Sequence, residues 1–389
     1  MRTIGVLTGA RSDYGGIRPV LKKIVADPEL RLMLLVTGMH LSPEFGRTID
    51  VIEADGFDIA ERIEMLVASD TPQAISKSVG LGVMGFAQFF ARSRPDIFLV
   101  LGDRFETLAA VVAALPFNIP VAHISGGEIT AGAIDDAIRH AITKMSHLHF
   151  VGMEEYRERV IQMGEEPWRV TVTGEPGLDS LLETPAVERS ELERFVDLPF
   201  EPRPLLVTFH PVTLIPGATS ASIDALIAAL DELQWPVVFT FPNADAEGRL
   251  IIERLQHFVS NHSDARIVVN AGSQRYFSMM KYCAAMVGNS SSGIIEAASF
   301  ELPVVDIGDR QRGRCRAANV IHAEPVKADI LKAVRQALSP PFRRSLQGMK
   351  NPYGDGYAAA RIVKVLKNMD LTGLVNKRFH AGTNSLVAS

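Results

Sequence analysis

The sequence predicts an α/β protein of two doubly wound, Rossmann-like domains facing a cleft. Three observations predict it. Strand and helix patterns alternate along nearly the whole chain. One proline-rich, charged stretch interrupts the alternation. The length of 389 residues suits two domains better than one.

In the first half, the strand candidates are Thr3–Thr8, Arg31–Thr37, Asp96–Leu101, Pro120–Ile124, His147–Val151 and Val170–Thr173. Most are short, near-continuous apolar runs, as expected of parallel strands covered on both faces. Helical stretches fall between them at Ile17–Ala26, Pro72–Arg92, Phe105–Ala114, Asp135–Met145 and Glu154–Met163. The stretch from Glu183-Thr184-Pro185 to Arg203-Pro204 reads as an interdomain linker holding a short helix. A second alternating set follows: Leu205–Phe209, Val237–Phe241, Arg266–Val269, Ala284–Val287 and Pro303–Ile307. A last helix, roughly Gly356–Asn368, is expected to pack back on the first domain. The tail from Leu371 reads as loosely ordered. The expected domains are therefore 1–185, 186–355, a returning helix at 356–370 and a tail at 371–389. Ligands of such folds bind at the carboxyl ends of the strands, so the loops there are the candidates.

Composition narrows the function classes. Hydrophobic residues make up 47% and charged residues 22%, ordinary values for a globular protein. A formal net charge of -5 gives no reason to expect nucleic acid or an anionic membrane as partner. Cys283 and Cys315 make neither a disulfide framework nor a metal-ligand spacing. The N-terminus reads as a strand rather than a signal peptide, and no apolar run looks long enough to span a membrane. A cytoplasmic location is expected.

The most informative stretch is Gly288-Asn289-Ser290-Ser291-Ser292-Gly293, with Glu296 three residues on. It lies between an apolar strand candidate and Ile294-Ile295-Glu296-Ala297-Ala298, which reads as a helix. Free N–H groups at a helix start, reached through small residues, make an anion site. A carboxylate one turn later suits the paired hydroxyls of a ribose. The alternative is a serine-rich helix cap with a solvated glutamate. Gly80-Leu81-Gly82-Val83-Met84-Gly85 matches a dinucleotide-binding spacing but lies inside a long helical pattern, so close helix packing explains it better.

Other strand-end loops carry unusual polar residues. Gly9-Ala10-Arg11-Ser12-Asp13-Tyr14-Gly15-Gly16 is a glycine-rich turn in which Arg11 suits a phosphate or Asp13. Asp103, in Gly102-Asp103-Arg104, suits a helix cap or a cleft carboxylate. The long loop Ser125-Gly126-Gly127-Glu128 to Asp135-Asp136 is acidic and leads into Arg139 and His140. In the second half, His210 and Asn243 stand after strands. A histidine opposite several carboxylates is an acid–base candidate.

These stretches, with Thr37-Gly38-Met39-His40-Leu41-Ser42, Ile138-Arg139-His140-Ala141-Ile142-Thr143-Lys144, His210-Pro211-Val212-Thr213 and Gly308-Asp309-Arg310-Gln311-Arg312-Gly313-Arg314, run in order along about residues 1–370. Together they resemble the hydrolysing UDP-N-acetylglucosamine 2-epimerases of sialic- and legionaminic-acid biosynthesis. The resemblance implies a two-domain glycosyltransferase-B-like fold, a UDP-sugar substrate, and no metal or redox cofactor. It implies loss of the C2 proton and of UDP to give a 2-acetamidoglucal, then addition of water and return of a proton to the other face. It assigns Asp103, Glu128 and Asp135 to acid–base chemistry and His210 to the diphosphate or the reacting sugar. Arg11, Ser290, Ser291 and Arg310 would hold phosphates, and Glu296 the ribose. Arg104 and Asn243 would line the same cleft. A homo-oligomer is expected.

The chain departs from the pattern in two places. Some relatives carry glutamate or histidine where this chain has Ser125, and some carry lysine near Gly16. Both changes leave room for a different sugar, such as a UDP-linked 2,4-diacetamido-2,4,6-trideoxyhexose. A non-hydrolysing epimerase, a nucleotide-sugar-binding protein and a glycosyltransferase remain alternatives.

Overall fold

The computed structural model describes residues 1–43, 46–69, 71–130, 134–211, 218–241, 248–269 and 271–382. The chain divides into two compact units. One comprises Met1–Glu128, Ile134–Leu182 and Tyr353–Ser389, the other Ile129–Ala133 and Glu183–Pro352.

The first unit holds seven parallel strands: β1 (Arg2–Thr8), β2 (Leu30–Thr37), β3 (Ile59–Ile63), β4 (Ile97–Leu101), β5 (Val121–Ile124), β6 (Leu148–Val151) and β7 (Val170–Val172). Their order is β3-β2-β1-β4-β5-β6-β7. The second holds β8 (Leu205–Thr208), β9 (Val237–Thr240), β10 (Ala265–Val268), β11 (Ala285–Gly288), β12 (Val304–Ile307) and β13 (Val320–Ala323) in the order β10-β9-β8-β11-β12-β13, again all parallel. Strand order reverses between β1 and β4 in one sheet and between β8 and β11 in the other. Loops diverge at such switch points and leave a crevice at the strands' carboxyl ends.

Both sheets are packed on two faces, which is why their strands read as unbroken apolar runs. In the first unit, Ile4, Val6, Leu34 and Leu99 face a core shared with the first helix, Arg11–Ala26, and the last, Ala358–Asn368. Leu35, Phe98 and Val100 face another core, filled by Phe86, Phe89 and Phe90. In the second unit, Val207, Phe239 and Val287 face one side and Leu206, Val238 and Met286 the other.

Several expectations change. The first helix begins at Arg11, so Arg11 and Asp13 sit in its first turn rather than in a free glycine turn. The stretch read as a linker contains the helix Arg189–Val196, and Leu192, Val196, Leu198 and Phe200 are buried in the second unit's core. The tail is docked through His380: Leu374 is buried, and Arg169 donates to the carbonyls of Leu374 and Asn376. Lys377 binds Glu165 at 2.8 Å. Helix Pro72–Arg92 is long and apolar enough to cross a membrane by length and composition, contrary to the sequence reading. Its aromatic residues instead fill the core, and a Cβ on Gly82 would lie 2.8 Å from Met65. Close packing therefore explains the glycine spacing there.

Candidate active site

In the first unit, Gly102 turns the chain after β4 at a φ of 76°. Asp103 and Arg104 follow, and the helix Phe105–Ala114 begins. Arg104 occupies the cap position and no side chain caps the helix. Asp103 is thus not the cap that its position allowed. Its carboxylate accepts a hydrogen bond from Arg139, which is 4% exposed on the helix Ile134–Met145. The same guanidinium lies 3.5 Å from Glu128, itself buried after β5. Carboxylates from two loops therefore share one buried cation. Burial strengthens such pairs because little water screens them.

Arg104 makes a second cluster. It donates through Nε and an Nη to the two oxygens of buried Glu106, at 3.1 and 2.9 Å, and through an Nη to Met39 Sδ at 3.3 Å. Burial works against its charge, but Glu106, Asp13 and Asp135 outweigh that and hold its pKa above the ordinary value. Asp135 is half-buried in the first turn of its helix. Asp13 is 8% exposed and 4.0 Å from Arg104. Burial raises its pKa to about 7; Arg104 opposes this, while the charges of Glu106 and Asp103 add to it. Arg11, in contrast, is exposed at the first helical position, and the ion-pair partner of Asp13 is Arg104.

The loop after β5 is held in an uncommon backbone state. Ser125 has a φ of 62° and Gly127 one of 78°. A non-glycine residue there is sterically costly and marks a constrained site. Ser125 donates to Glu175 at 2.7 Å, so a buried carboxylate from the end of β7 stands beside this loop. His123 bonds the Gly102 carbonyl at 2.8 Å and ties the β4 and β5 loops together.

In the second unit, Gly288 has a φ of 139°, and a Cβ there would lie 1.9 Å from the Thr208 carbonyl. Only glycine fits this crossing of β11 against β8. Asn289 Oδ1 accepts the His210 N–H at 2.7 Å, and its amide donates to the His210 carbonyl at 2.9 Å. The Asn289 carbonyl accepts from Arg310 and Gln311, each at 3.0 Å. Ser290 caps the helix Ser291–Ile295 by accepting from the Ser292 N–H at 3.3 Å. Burial raises the pKa of Tyr276, against the opposing pull of Ser292, Thr208 and Ser290.

Two readings of this loop are corrected. The helix after it has five residues before a 3-10 turn, so its dipole is weaker than a full helix would supply. Glu296 ends that helix and is half-buried: its Oε2 is shielded, and burial raises its pKa to about 6 against the pull of its own N–H, Arg314 and Ser292. His210 is 6% exposed, and burial with the Arg310 charge lowers its pKa to about 3. It is a neutral imidazole rather than a cation. Asn243 lies outside the described residues.

The structure thus groups Asp103, Glu128, Arg104 and Asp135 in one unit and His210, Ser290, Ser291, Glu296 and Arg310 in the other. Sequence reasoning missed Arg139, Asp13, Glu175, Asn289, Gln311 and Tyr276 as site residues. An acid one turn into the helix after β1 was a usable signal for Asp13. The partners of the others depend on distant elements.

A carboxylate–arginine cluster thus stands at the strand ends of one sheet, and a glycine–serine loop with a shielded glutamate at those of the other; two parallel-sheet units of this kind make a glycosyltransferase-B-like fold. The UDP-N-acetylglucosamine 2-epimerase from Neisseria meningitidis, solved with UDP-N-acetylglucosamine bound, shares that fold at a TM-score of 0.81. It is 17% identical, over 94% of this chain and 99% of that one. Residues 22–367 match the family described as UDP-N-acetylglucosamine 2-epimerase, and the chain belongs to that family. It is 39% identical to the GDP/UDP-N,N'-diacetylbacillosamine 2-epimerase (hydrolyzing) of Campylobacter jejuni, over 97% of this chain and 98% of that one. It is 36% identical to the UDP-N,N'-diacetylbacillosamine 2-epimerase (hydrolyzing) of Legionella pneumophila, over 97% and 99%.

Proposed function

We propose that this protein is a hydrolysing 2-epimerase that converts a UDP-2-acetamido sugar to UDP and the free manno-configured sugar through a 2-acetamidoglucal. The substrate that fits best is UDP-2,4-diacetamido-2,4,6-trideoxyglucose, with UDP-N-acetylglucosamine as the second candidate. The observation that carries this is near-full-length identity of 39% and 36% to two enzymes named as hydrolysing diacetylbacillosamine epimerases.

The side chains support the chemistry. Removing a proton from C2 needs a placed base, and returning one to the other face needs an acid. Asp103, Glu128 and Asp135 are assigned these proton roles, and Arg139 fixes the first two. Arg11, Ser290, Ser291 and Arg310 are assigned to the diphosphate, whose negative charge grows as it departs. Glu296 is assigned to the ribose hydroxyls. Neutral His210 serves as a hydrogen-bond partner of diphosphate or sugar, and Arg104 and Asn243 complete the site. No metal or redox cofactor takes part in this reading. The product suits a sialic- or legionaminic-type pathway in the cytoplasm, and a homo-oligomer is part of the same proposal.

The test is UDP release from the two sugars offered separately. The proposal expects UDP and free sugar in equal amounts, with higher kcat/KM for the diacetamido sugar. Preference for UDP-N-acetylglucosamine would move the substrate assignment. Release of UDP from neither would overturn the function.

A further inference from the structure

We propose that Asp13 is a further acid–base residue of this reaction, the group that delivers the proton to C2 when the 2-acetamidoglucal is hydrated. The proposal rests on the hydrolysing-epimerase reading and deepens it. Inversion at C2 needs two different groups, one that takes a proton from one face and one that gives a proton to the other. The site holds two kinds of carboxyl group. Asp103 and Glu128 have a buried guanidinium as partner in Arg139. Asp13 is as secluded, but its nearest cation is 4.0 Å away and that cation directs two N–H groups to Glu106. Asp13 also accepts a hydrogen bond from the Ser12 hydroxyl at 3.3 Å.

The surrounding charges point the same way. On its own helix stand exposed Arg11 and Tyr14, whose hydroxyl turns to Asp55. From the β4 loop come Asp103, Arg104 and Glu106. From the segment after β2 comes His40, held by Thr8 and Thr48 and kept neutral by burial, with a pKa near 4. Asp135 acts on Arg104 and so competes with Asp13 for that cation. A carboxyl group in this setting holds its proton up to about pH 7, and carboxyl groups in unlike environments divide acid and base duties.

The step balances. The Asp13 carboxyl proton goes to C2, and the C1=C2 electron pair forms the new C–H bond. Water bonds to C1 and gives its proton to Glu128. Asp13 is left as a carboxylate and is reprotonated from solvent before the next turnover. Hydration releases no net proton, because Glu128 returns to solvent what Asp13 takes up; the net proton of the overall hydrolysis is the one removed from C2 in the first stage.

Asp13→Asn keeps the shape and removes the transferable proton. The variant is expected to release UDP from the UDP-sugar while accumulating the 2-acetamidoglucal. When the glucal is supplied directly, hydration should fall by roughly a hundredfold or more. In the unaltered protein, glucal hydration should decline as pH rises through about 7, and Asp13→Glu should recover part of it. Normal glucal hydration by Asp13→Asn overturns the proposal. So does equal loss of both stages with the fold intact by circular dichroism, because that pattern marks a structural residue. If the unaltered protein neither releases UDP nor hydrates glucal, the functional reading fails, and this assignment with it.

Discussion

Asn289 and His210 are joined by two hydrogen bonds: the His210 N–H reaches the Asn289 side-chain oxygen at 2.7 Å, and the Asn289 amide reaches the His210 carbonyl at 2.9 Å. The pair closes the switch point between β8 and β11. Both elements of the proposed nucleotide grip, the serine loop and the histidine, are held by this clamp. Asn289→Ala removes both bonds and leaves a buried N–H and carbonyl unpaired. A loss of about 1–3 kcal/mol in stability is expected, with weaker UDP binding. Thermal melting and calorimetry with UDP check both. Unchanged UDP affinity would show that the clamp does not position the grip.

With Glu296 on the ribose, UDP binding is expected to tighten as pH rises. The Glu296 pKa near 6 means that the carboxylate grows as pH rises through 6. Hydrogen bonds from ribose hydroxyls favour the carboxylate, so UDP affinity should increase from pH 5 to pH 7. Glu296→Gln should flatten that part of the profile, and Glu296→Ala should weaken binding by about 1–3 kcal/mol. Arg310→Ala should lower UDP affinity as well. Calorimetry across this range is the measurement. A wild-type profile matched by Glu296→Gln would remove Glu296 from the ribose site.

Arg139 is expected to be intolerant of change. Its loss leaves Asp103 and Glu128 beside each other's loops with no shared cation, and breaking a buried pair in this way costs about 3–5 kcal/mol. Arg139→Lys cannot present a planar fork to two carboxylates and should lower kcat by roughly tenfold or more. Asp103→Asn and Glu128→Gln should each lower kcat by about a hundredfold or more, with UDP affinity little altered. Steady-state kinetics beside UDP calorimetry separates these effects. Near-normal turnover in the last two variants would move the proton chemistry to Asp135 and His210.

The fold was legible where burial was complete. Apolar runs such as Val121–Ile124 and Val237–Thr240 are covered on both faces and reveal themselves by composition. The strands that escaped notice, β3 and β13, are sheet edges. There Glu61, Arg62 and His322 replace the apolar signal, because one side of an edge strand meets solvent. The site was legible at strand ends and at glycines, since Gly288 has no alternative residue at its crossing. Arg139 stood in a recognised motif, yet its role comes from Asp103 and Glu128 on other elements. For Asp13 the local spacing offers Arg11, itself equally suited to a phosphate, and cannot show that Arg104 arrives from the β4 loop.

Stability should depend on pH with two opposed contributions. Asp13 has a folded pKa of about 7 against 3.8 unfolded, so the folded state binds its proton more tightly. That contribution is fully present below about 3.8 and is lost as pH rises through 7. Asp13→Asn should therefore be more stable than wild type at pH 8, by a few kcal/mol at most, and no more stable at pH 4. Buried His40, His123, His147 and His210 have pKa values lowered from 6.5 to about 4, 3, 4 and 3, chiefly by desolvation. Their contribution is present above 6.5 and is lost as pH falls toward 4, in both proteins. Melting temperatures of the two proteins between pH 4 and pH 8 test this; a gap that is constant with pH would contradict the Asp13 part.

The central claim is that the sugar is both inverted at C2 and cut from UDP. The most direct measurement is incubation with UDP-2,4-diacetamido-2,4,6-trideoxyglucose in deuterated water, followed by proton NMR of all products. The account predicts free UDP and a free manno-configured sugar that carries deuterium at C2. Recovery of UDP-linked epimers alone, or of a free sugar that keeps its original C2 proton, would contradict it.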